Sequence, residues 1–482
     1  MNKNKPQLLF IILFVGTVIL ISGCQNKPEN KPVSTDGYNL VMIVADTLRA
    51  DVLECYGGEA KTPNICGLAK QGTLFVNNYS TAPVTWMSSL SIFTGNYSNL
   101  YYDTKIGRPA SGPFEGLMDK RVDSLPGIYD ILLRSHYKVQ SSEKLLAESL
   151  TEKGYKVMHD NENLLAEKLN QLQGFEKLKS YDNLKKSKIA EIEALTGIKN
   201  ISSGYENFYS FLDNLLSNEK VNFFTLKWML DPHTEYSPPQ KFLTDFDVDF
   251  NQLTREPNFY SEDFGMILKH YIEDINLNNY EQNYVKWLYL KEVESVDERV
   301  GYAIKALEEN NLLDKTFIVF TSDHGEAFGE HQNIYFHGRT LYNEQVQVPL
   351  IISGPGILKD NIITSRVSLV DLMPTLAELL GVDSFKDVDG KSYLPLLYGE
   401  EDDEERVQYL ELWLTQTVSG IIENNFKLIK FANKDSELYD LERDSQELSN
   451  IASSNPELVE QLEKKLLEHD REIEIRRQEI YY

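Results

Sequence analysis

A chain of 482 residues with 41% hydrophobic content can build one large domain with a smaller partner. Its 48 Lys+Arg stand against 74 Asp+Glu, a formal net charge of -26. That balance excludes a nucleic-acid binder, which needs a basic face, and an anionic substrate would require a local cation in its site.

Lys3 and Lys5 precede an apolar run from Leu8 to Ile21, which ends in Ser22, Gly23 and Cys24. A basic start, a short apolar core and small residues read as a secretory signal over residues 1–23. Ile21-Ser22-Gly23-Cys24 resembles the lipobox of bacterial-type lipoproteins, which implies an extracytoplasmic protein anchored to the membrane through lipidated Cys24. An uncleaved anchor or an ordinary signal are the plainer alternatives. Residues 24–37, rich in Asn, Lys, Pro and Ser, then form a flexible tether. Outside the cytoplasm Cys55 and Cys66 can pair, but sequence leaves their separation open and two free buried thiols are the default.

Leu40 to Ala45 is wholly apolar and runs into Asp46. Thr62 is a candidate N-cap with Pro63 at the first helical position and Gly72 as the stop. A second short helix begins near Thr85 and ends at Gly95. Ser88, Ser89 and Ser91 are expected on its surface or against an anion, with Ser88 a reserve nucleophile. Residues 99–220 form a helix-rich excursion in which SLPGIYDILLRSHYKV and LLAESLTEKGYKV are two helix-strand units, and Leu164 to Lys188 a solvated helical stretch.

Asn222 to Leu230 is another strand, leading into Asp231-Pro232-His233. Residues 262–310 read as helix, with Val285, Tyr289, Val293, Val296 and Val300 on one face. Thr316 to Phe320 is a buried strand that ends beside Asp323 and His324, either a metal half-site or a loop whose Asp orients its His. Val348 to Ile352 is a further buried strand. Alternating strands and helices give an α/β fold with a mostly parallel central sheet flanked by helices, over residues 38–399. Residues 400–482 change texture: an acidic run from Glu400 to Glu405, short strands around an Asn424-Asn425 turn, and a terminal helix presenting Leu458, Leu462 and Leu466. They read as a small C-terminal antiparallel α+β subdomain.

Three strands thus end in acids or imidazoles, and a hydroxyl stands at a helix start. The segments VMIVADTLRADVLECYGG, KTPNICGLAKQGTLFVNNYS, DPHTEYSPP, SDHGEAFGEH, FHGRTLYNEQVQVPLIISGPG and ELYDL together resemble the sulfatase family of the alkaline phosphatase superfamily, over roughly residues 38–450 in one order. The resemblance implies one divalent ion (Mn, Mg, Ca or Zn) held by Asp46, Thr85, Asp323 and His324, with Thr85 the nucleophile and His233 and His337 against the bound anion. A second ion would need Asp231, His233 and His337.

The departures from that family alter the expected chemistry. Sulfatases carry Cys-x-Pro-x-Arg, or a Ser version, whose first residue becomes formylglycine; here the run is Thr85-Trp86-Met87-Ser88-Ser89, so no formylglycine is expected. The second acid of the usual pair is Thr47. Threonine at the nucleophile position resembles lipoteichoic-acid synthases, phosphoethanolamine transferases and nucleotide pyrophosphatases. The reading is a hydrolase or transferase acting on phosphate or sulfate esters, with a lipid head group or glycan as anionic partner. A sulfuric ester hydrolase working without formylglycine is one alternative. An inactive anion-binding lipoprotein, with Thr85 a mere N-cap, is the other.

Overall fold

The computed structural model describes residues 37–101, 145–162, 172–178, 184–196, 208–217, 221–244, 248–254, 277–382, 388–401, 406–413 and 417–481. The signal, the lipobox, most of the tether, the passage at 124–139 and most of the acidic run lie outside these residues.

An eight-stranded sheet runs in the order β11 (Asn361–Ile363), β2 (Gly72–Phe75), β10 (Leu350–Ser353), β7 (Thr316–Ser322), β1 (Asn39–Ala45), β6 (Phe223–Met229), β4 (Lys156–Asn161), β5 (Glu176–Lys177). β10 pairs antiparallel with both β2 and β7, and the other pairings are parallel. The expected mostly parallel sheet is what forms.

Side-chain alternation explains the layers. Val41, Ile43 and Ala45 of β1 join one core with Tyr289, Val293, Val296 and Val300 of the long helix Asn279–Glu309. Leu40, Met42 and Val44 join a second core on the other face, with Trp228 and the helix Leu372–Leu379. Every residue of β1 is buried, which accounts for the unbroken apolar run from Leu40 to Ala45.

Several local expectations change. Helix α1 (Pro63–Lys70) starts at Pro63, yet the Thr62 hydroxyl does not cap it and instead accepts from Glu54 N at 3.0 Å. α1 stops as expected, with Gln71 as C-cap and Gly72 next, but Gly72 also opens β2, where a Cβ would lie 2.3 Å from Ile352 O; close backbone approach, not a left-handed turn, requires glycine there. Cys55 and Cys66 form a disulfide with Cα atoms 5.3 Å apart, correcting the default of free thiols. Of the expected helical stretch 164–188 the described residues are 172–178 and 184–188; there Glu176–Lys177 is an edge strand of the sheet, and helix begins only at Lys186, running to Thr196.

The remaining strands are short pairs and a C-terminal sheet. β3 (Asn78–Tyr79) pairs with β12 (Val367–Ser368), and β8 (Ala327–Phe328) with β9 (Tyr335–Phe336). β13 (Gln408–Trp413), β14 (Thr417–Glu423), β15 (Phe426–Phe431) and β16 (Glu437–Asp440) form an antiparallel meander, with Asn424 at φ 51° in the β14–β15 turn. One face of this meander packs, through Leu412, Val418 and Ile429, against Trp86, Met87 and Leu90 of helix α2 (Thr85–Thr94). Its other face holds Leu462 and Leu466 of the terminal helix Pro456–Tyr481.

Candidate functional site

Parallel β1 and β7 end side by side, so Asp46 and Asp323 emerge from the same edge of the sheet. Both side chains are fully buried, as is His324. Asp46, Asp323 and His324 each offer a ligand atom, and these atoms lie within 4.8 Å of one another. Among the described residues no other group of three or more His, Cys, Asp or Glu does so.

Each of the three is held by one atom and turned to the centre with the other. Asp323 Oδ1 accepts from Thr47 N at 3.2 Å and from His324 N at 2.9 Å, leaving Oδ2 buried with no hydrogen-bond partner, 3.3 Å from His324 Nε2. Asp46 Oδ2 accepts from Trp228 Nε1 at 3.1 Å, while Oδ1 lies 3.9 Å from His324 Nε2. His324 Nδ1 sits 3.0 Å from Gly325 O, a contact that needs the proton on Nδ1 and leaves the Nε2 lone pair facing inward. Burial, reinforced by His337, pushes the His324 imidazole down to about 3, and burial lifts the Asp323 carboxyl to about 6. Two buried carboxylates around a neutral imidazole make an oxygen-rich, cation-poor centre. The orphaned Asp323 Oδ2 and the inward Nε2 fit a divalent cation.

Thr47 sits at φ 59°, an unusual conformation for a β-branched residue, and it aims the Thr47 N–H at Asp323. Phe336, at φ 64°, makes the equivalent turn just before His337.

Thr85 is the first residue of α2, whose N-cap is Val84. Its hydroxyl donates to Asp46 Oδ1 at 3.5 Å and lies 3.2 Å from His324 Nε2. The N-cap role is therefore taken by its neighbour. Ser88, Ser89 and Ser91 are fully buried, not surface residues. The Ser88 hydroxyl donates to Val84 O at 3.1 Å, the Ser89 hydroxyl to Thr85 O, and Ser91 Oγ accepts from Thr81 at 2.8 Å. The apolar burial of α2 between the two sheets explains why Ser88 and Ser89 turn their hydroxyls back on the backbone and Ser91 pairs with Thr81.

His233 and His337 stand over the same centre, their ring centroids 5.0 Å apart and His337 4.6 Å from His324. Burial opposes charge on His233, but the nearby Asp46 and Glu326 carboxylates raise it above its ordinary value. Burial and the neighbouring His233 push His337 down to about 3. Asp231 does not join them: its carboxylate is paired with Arg299 of the long helix. The second-ion arrangement through Asp231 loses that ligand.

Three residues escaped the sequence reading. Trp228 supports Asp46, and Glu326 accepts from His337 Nδ1 at 2.9 Å and from the Tyr236 hydroxyl at 3.0 Å. Burial lifts the Glu326 carboxyl to about 8. Trp228 was visible as a large residue alternating with Leu226 and Phe224 toward one face; Glu326 stands two places beyond His324, but nothing local announces its partner.

The family model for sulfatases matches residues 38–382, and that described as N-sulphoglucosamine sulphohydrolase, C-terminal, matches residues 329–472. Arylsulfatase K of Xenopus laevis is 35% identical over 184 residues, which cover 35% of this chain and only 34% of that relative's length. N-acetylglucosamine-6-O-sulfatase of Bacteroides thetaiotaomicron is 24% identical over 527 residues, covering 96% of this chain and 91% of that protein. The crystal structure of phosphonate monoester hydrolase of Agrobacterium radiobacter shares the fold with a TM-score of 0.65 at 19% identity, covering 90% of this chain and 96% of that one. With a match running from residue 38 to 382 of 482, the chain belongs to the sulfatase family.

Proposed function

We propose that this chain is a metal-dependent hydrolase or transferase of phosphate or sulfate esters that works through Thr85. The observation that carries the reading is the Thr85 hydroxyl, 3.5 Å from Asp46 Oδ1 and 3.2 Å from His324 Nε2 at the start of a ten-residue helix. Asp46, Thr85, Asp323 and His324 would hold one divalent ion (Mn, Mg, Ca or Zn), which when bound lowers the hydroxyl pKa and polarises the ester oxygens.

The chain's own groups then divide the work. The positive end of α2 and a protonated His233 attract the anionic ester, with His337 beside them. Thr85 passes its proton to Asp46 Oδ1 and its oxygen bonds to phosphorus as the bond to the leaving oxygen breaks. His233 protonates that leaving oxygen. Water then attacks phosphorus, one of its protons restores His233, and Asp46 returns a proton to Thr85 as the Thr85 ester breaks. An alcohol in place of water makes the same cycle a transfer.

Phosphorus is favoured because a threonine sulfate ester has no formylglycine route of collapse, whereas phosphothreonine is open to attack at phosphorus. A phosphonate monoester hydrolase with the same fold is consistent with this. The sulfuric ester reading draws on the family and on the glycan 6-O-sulfatase that aligns with nearly the whole chain. That relative also supports a glycan as the anionic partner. We read residues 38–399 as the catalytic domain and 400–482 as a subdomain that buttresses α2. The Cys55–Cys66 bridge is in keeping with an extracytoplasmic protein, and the proposed lipid anchor at Cys24 draws on the lipobox alone. No helix of the described residues is long and apolar enough to cross a membrane.

The test is turnover of an aryl phosphodiester, an aryl phosphonate monoester and an aryl sulfate with added Mn²⁺. We expect the phosphorus esters to turn over and Thr85→Ala to abolish it. Unchanged turnover in Thr85→Ala would sink the nucleophile, aryl sulfate turnover alone would favour the sulfuric ester reading, and no turnover with no Mn²⁺ bound would leave a binding protein.

A further inference from the structure

The parallel register of β1 and β6 sets Trp228 opposite Val44. Side chains paired in register share a face, and Asp46 lies two residues beyond Val44, so Trp228 and Asp46 project to the same side of the sheet. Lys227, one residue earlier, points to the opposite face, where Asp160 at 2.7 Å and Glu162 at 2.6 Å neutralise it. A one-residue slip of β6 would bring an ammonium, in place of an indole, to the Asp46 face.

Trp228 is fully buried, and a buried indole N–H needs an acceptor. Its acceptor is Asp46 Oδ2, at 3.1 Å. That contact occupies one carboxylate oxygen and leaves Oδ1 toward Thr85 and His324. Asp323 is divided in the same manner, Oδ1 being held by two backbone N–H groups. Asp46 N is already committed to Met229 O at 3.0 Å, the residue next to Trp228. The strand end that carries the indole therefore fixes both the backbone and the side chain of Asp46.

We propose that Trp228 is a positioning residue for the divalent ion, its indole N–H holding Asp46 so that a single oxygen faces the metal and the Thr85 hydroxyl. This rests on the metal-site reading above. Outer hydrogen bonds of this kind are typically worth about 10- to 100-fold in metal affinity. Packing alone has a separate control: the Phe93 ring lies 6.2 Å from Trp228 and touches none of the ligands by hydrogen bond.

The test is Mn²⁺ affinity of the purified protein by titration calorimetry, with tryptophan emission recorded over the same titration. Trp228→Phe is expected to bind Mn²⁺ about 10- to 100-fold more weakly than the wild type and to show a smaller Mn²⁺-dependent change in emission, Trp86, Trp287 and Trp413 being retained. Phe93→Leu is expected to bind within about threefold of wild type and to keep that change, against the outer-shell loss above. Affinity of Trp228→Phe within twofold of wild type, or an equal loss in Phe93→Leu, would overturn the proposal. If Trp228→Phe does not fold, hydrogen exchange of the Trp228 indole N–H in the wild type with Mg²⁺ bound decides instead: protection supports the bond to Asp46, and free exchange overturns it. A wild type that binds no Mn²⁺ overturns the metal reading itself, whereas wild-type binding with an unaffected Trp228→Phe overturns only this step.

Discussion

Glu326 accepts a hydrogen bond from His337 Nδ1 at 2.9 Å while its other oxygen takes the Tyr236 hydroxyl at 3.0 Å. The carboxyl thus ties a histidine from the β9 loop to the segment that carries His233, and it fixes which His337 nitrogen faces the site. Glu326→Ala frees the His337 ring and should lower kcat/KM for the best aryl ester about 10- to 100-fold. Glu326→Gln keeps an acceptor and should lose less. Kinetics of both variants, with thermal melts to exclude unfolding, decide it; equal losses in Glu326→Ala and Glu326→Gln would overturn the orienting role.

Thr85 gives a sharper contrast. Thr85→Val preserves shape and burial but removes the oxygen, so turnover should fall by about three orders of magnitude or more, as for loss of other nucleophiles. Thr85→Ser retains a hydroxyl at the start of α2 and should remain active. Single-turnover mass spectrometry should find a mass increase on the peptide carrying Thr85 in the active forms alone. A labelled adduct on Ser88 instead would reassign the nucleophile.

Much of this site was legible because it rests on chain-local patterns. Apolar runs that stop at Asp46 and at Asp323-His324 announce buried strands ending at one sheet edge, and α2 lies between Thr85 and Gly95 as its turn chemistry suggests. What stayed hidden depends on partners far along the chain. Asp231 is an available ligand by sequence, but Arg299, on a helix whose charged positions are indistinguishable in sequence, pairs with it. Gly72 follows the end of α1 as its sequence suggests, but sequence cannot show the approach of Ile352 that requires glycine there. Ser88, Ser89 and Ser91 looked solvated because nothing local reveals that the C-terminal meander covers α2. The disulfide was open for the same reason: spacing does not give the 5.3 Å between Cα atoms.

That disulfide closes a short loop, with a separation of 11 residues between Cys55 and Cys66. Chain-entropy reasoning assigns such a loop about 3 kcal/mol. Replacing both cysteines by alanine should lower unfolding free energy by about that amount in urea titrations, with no change in Mn²⁺ affinity. An undiminished midpoint in the double variant would show that the hydrogen bonds around Tyr56 and Thr62 hold this corner unaided.

Glu411 sets a pH dependence away from the site. It lies under the turn at Ser98–Tyr101, accepting from the Ser98 hydroxyl at 2.5 Å and from Asn99 N at 3.1 Å. Burial lifts its carboxyl from an ordinary 4.5 to about 7, and Oε2 is buried without a hydrogen-bond partner. The folded state therefore binds a proton that the unfolded chain releases at lower pH. Its contribution is fully present below 4.5 and is lost as pH rises through about 7. At about 1.4 kcal/mol per pH unit the loss is on the order of a few kcal/mol. Glu411→Gln keeps the neutral shape and does not titrate. Urea unfolding at pH 5 and pH 8 should show the wild type weakening between the two more than Glu411→Gln does, with the variant the more stable at pH 8. Parallel pH profiles for the two proteins would place the proton elsewhere.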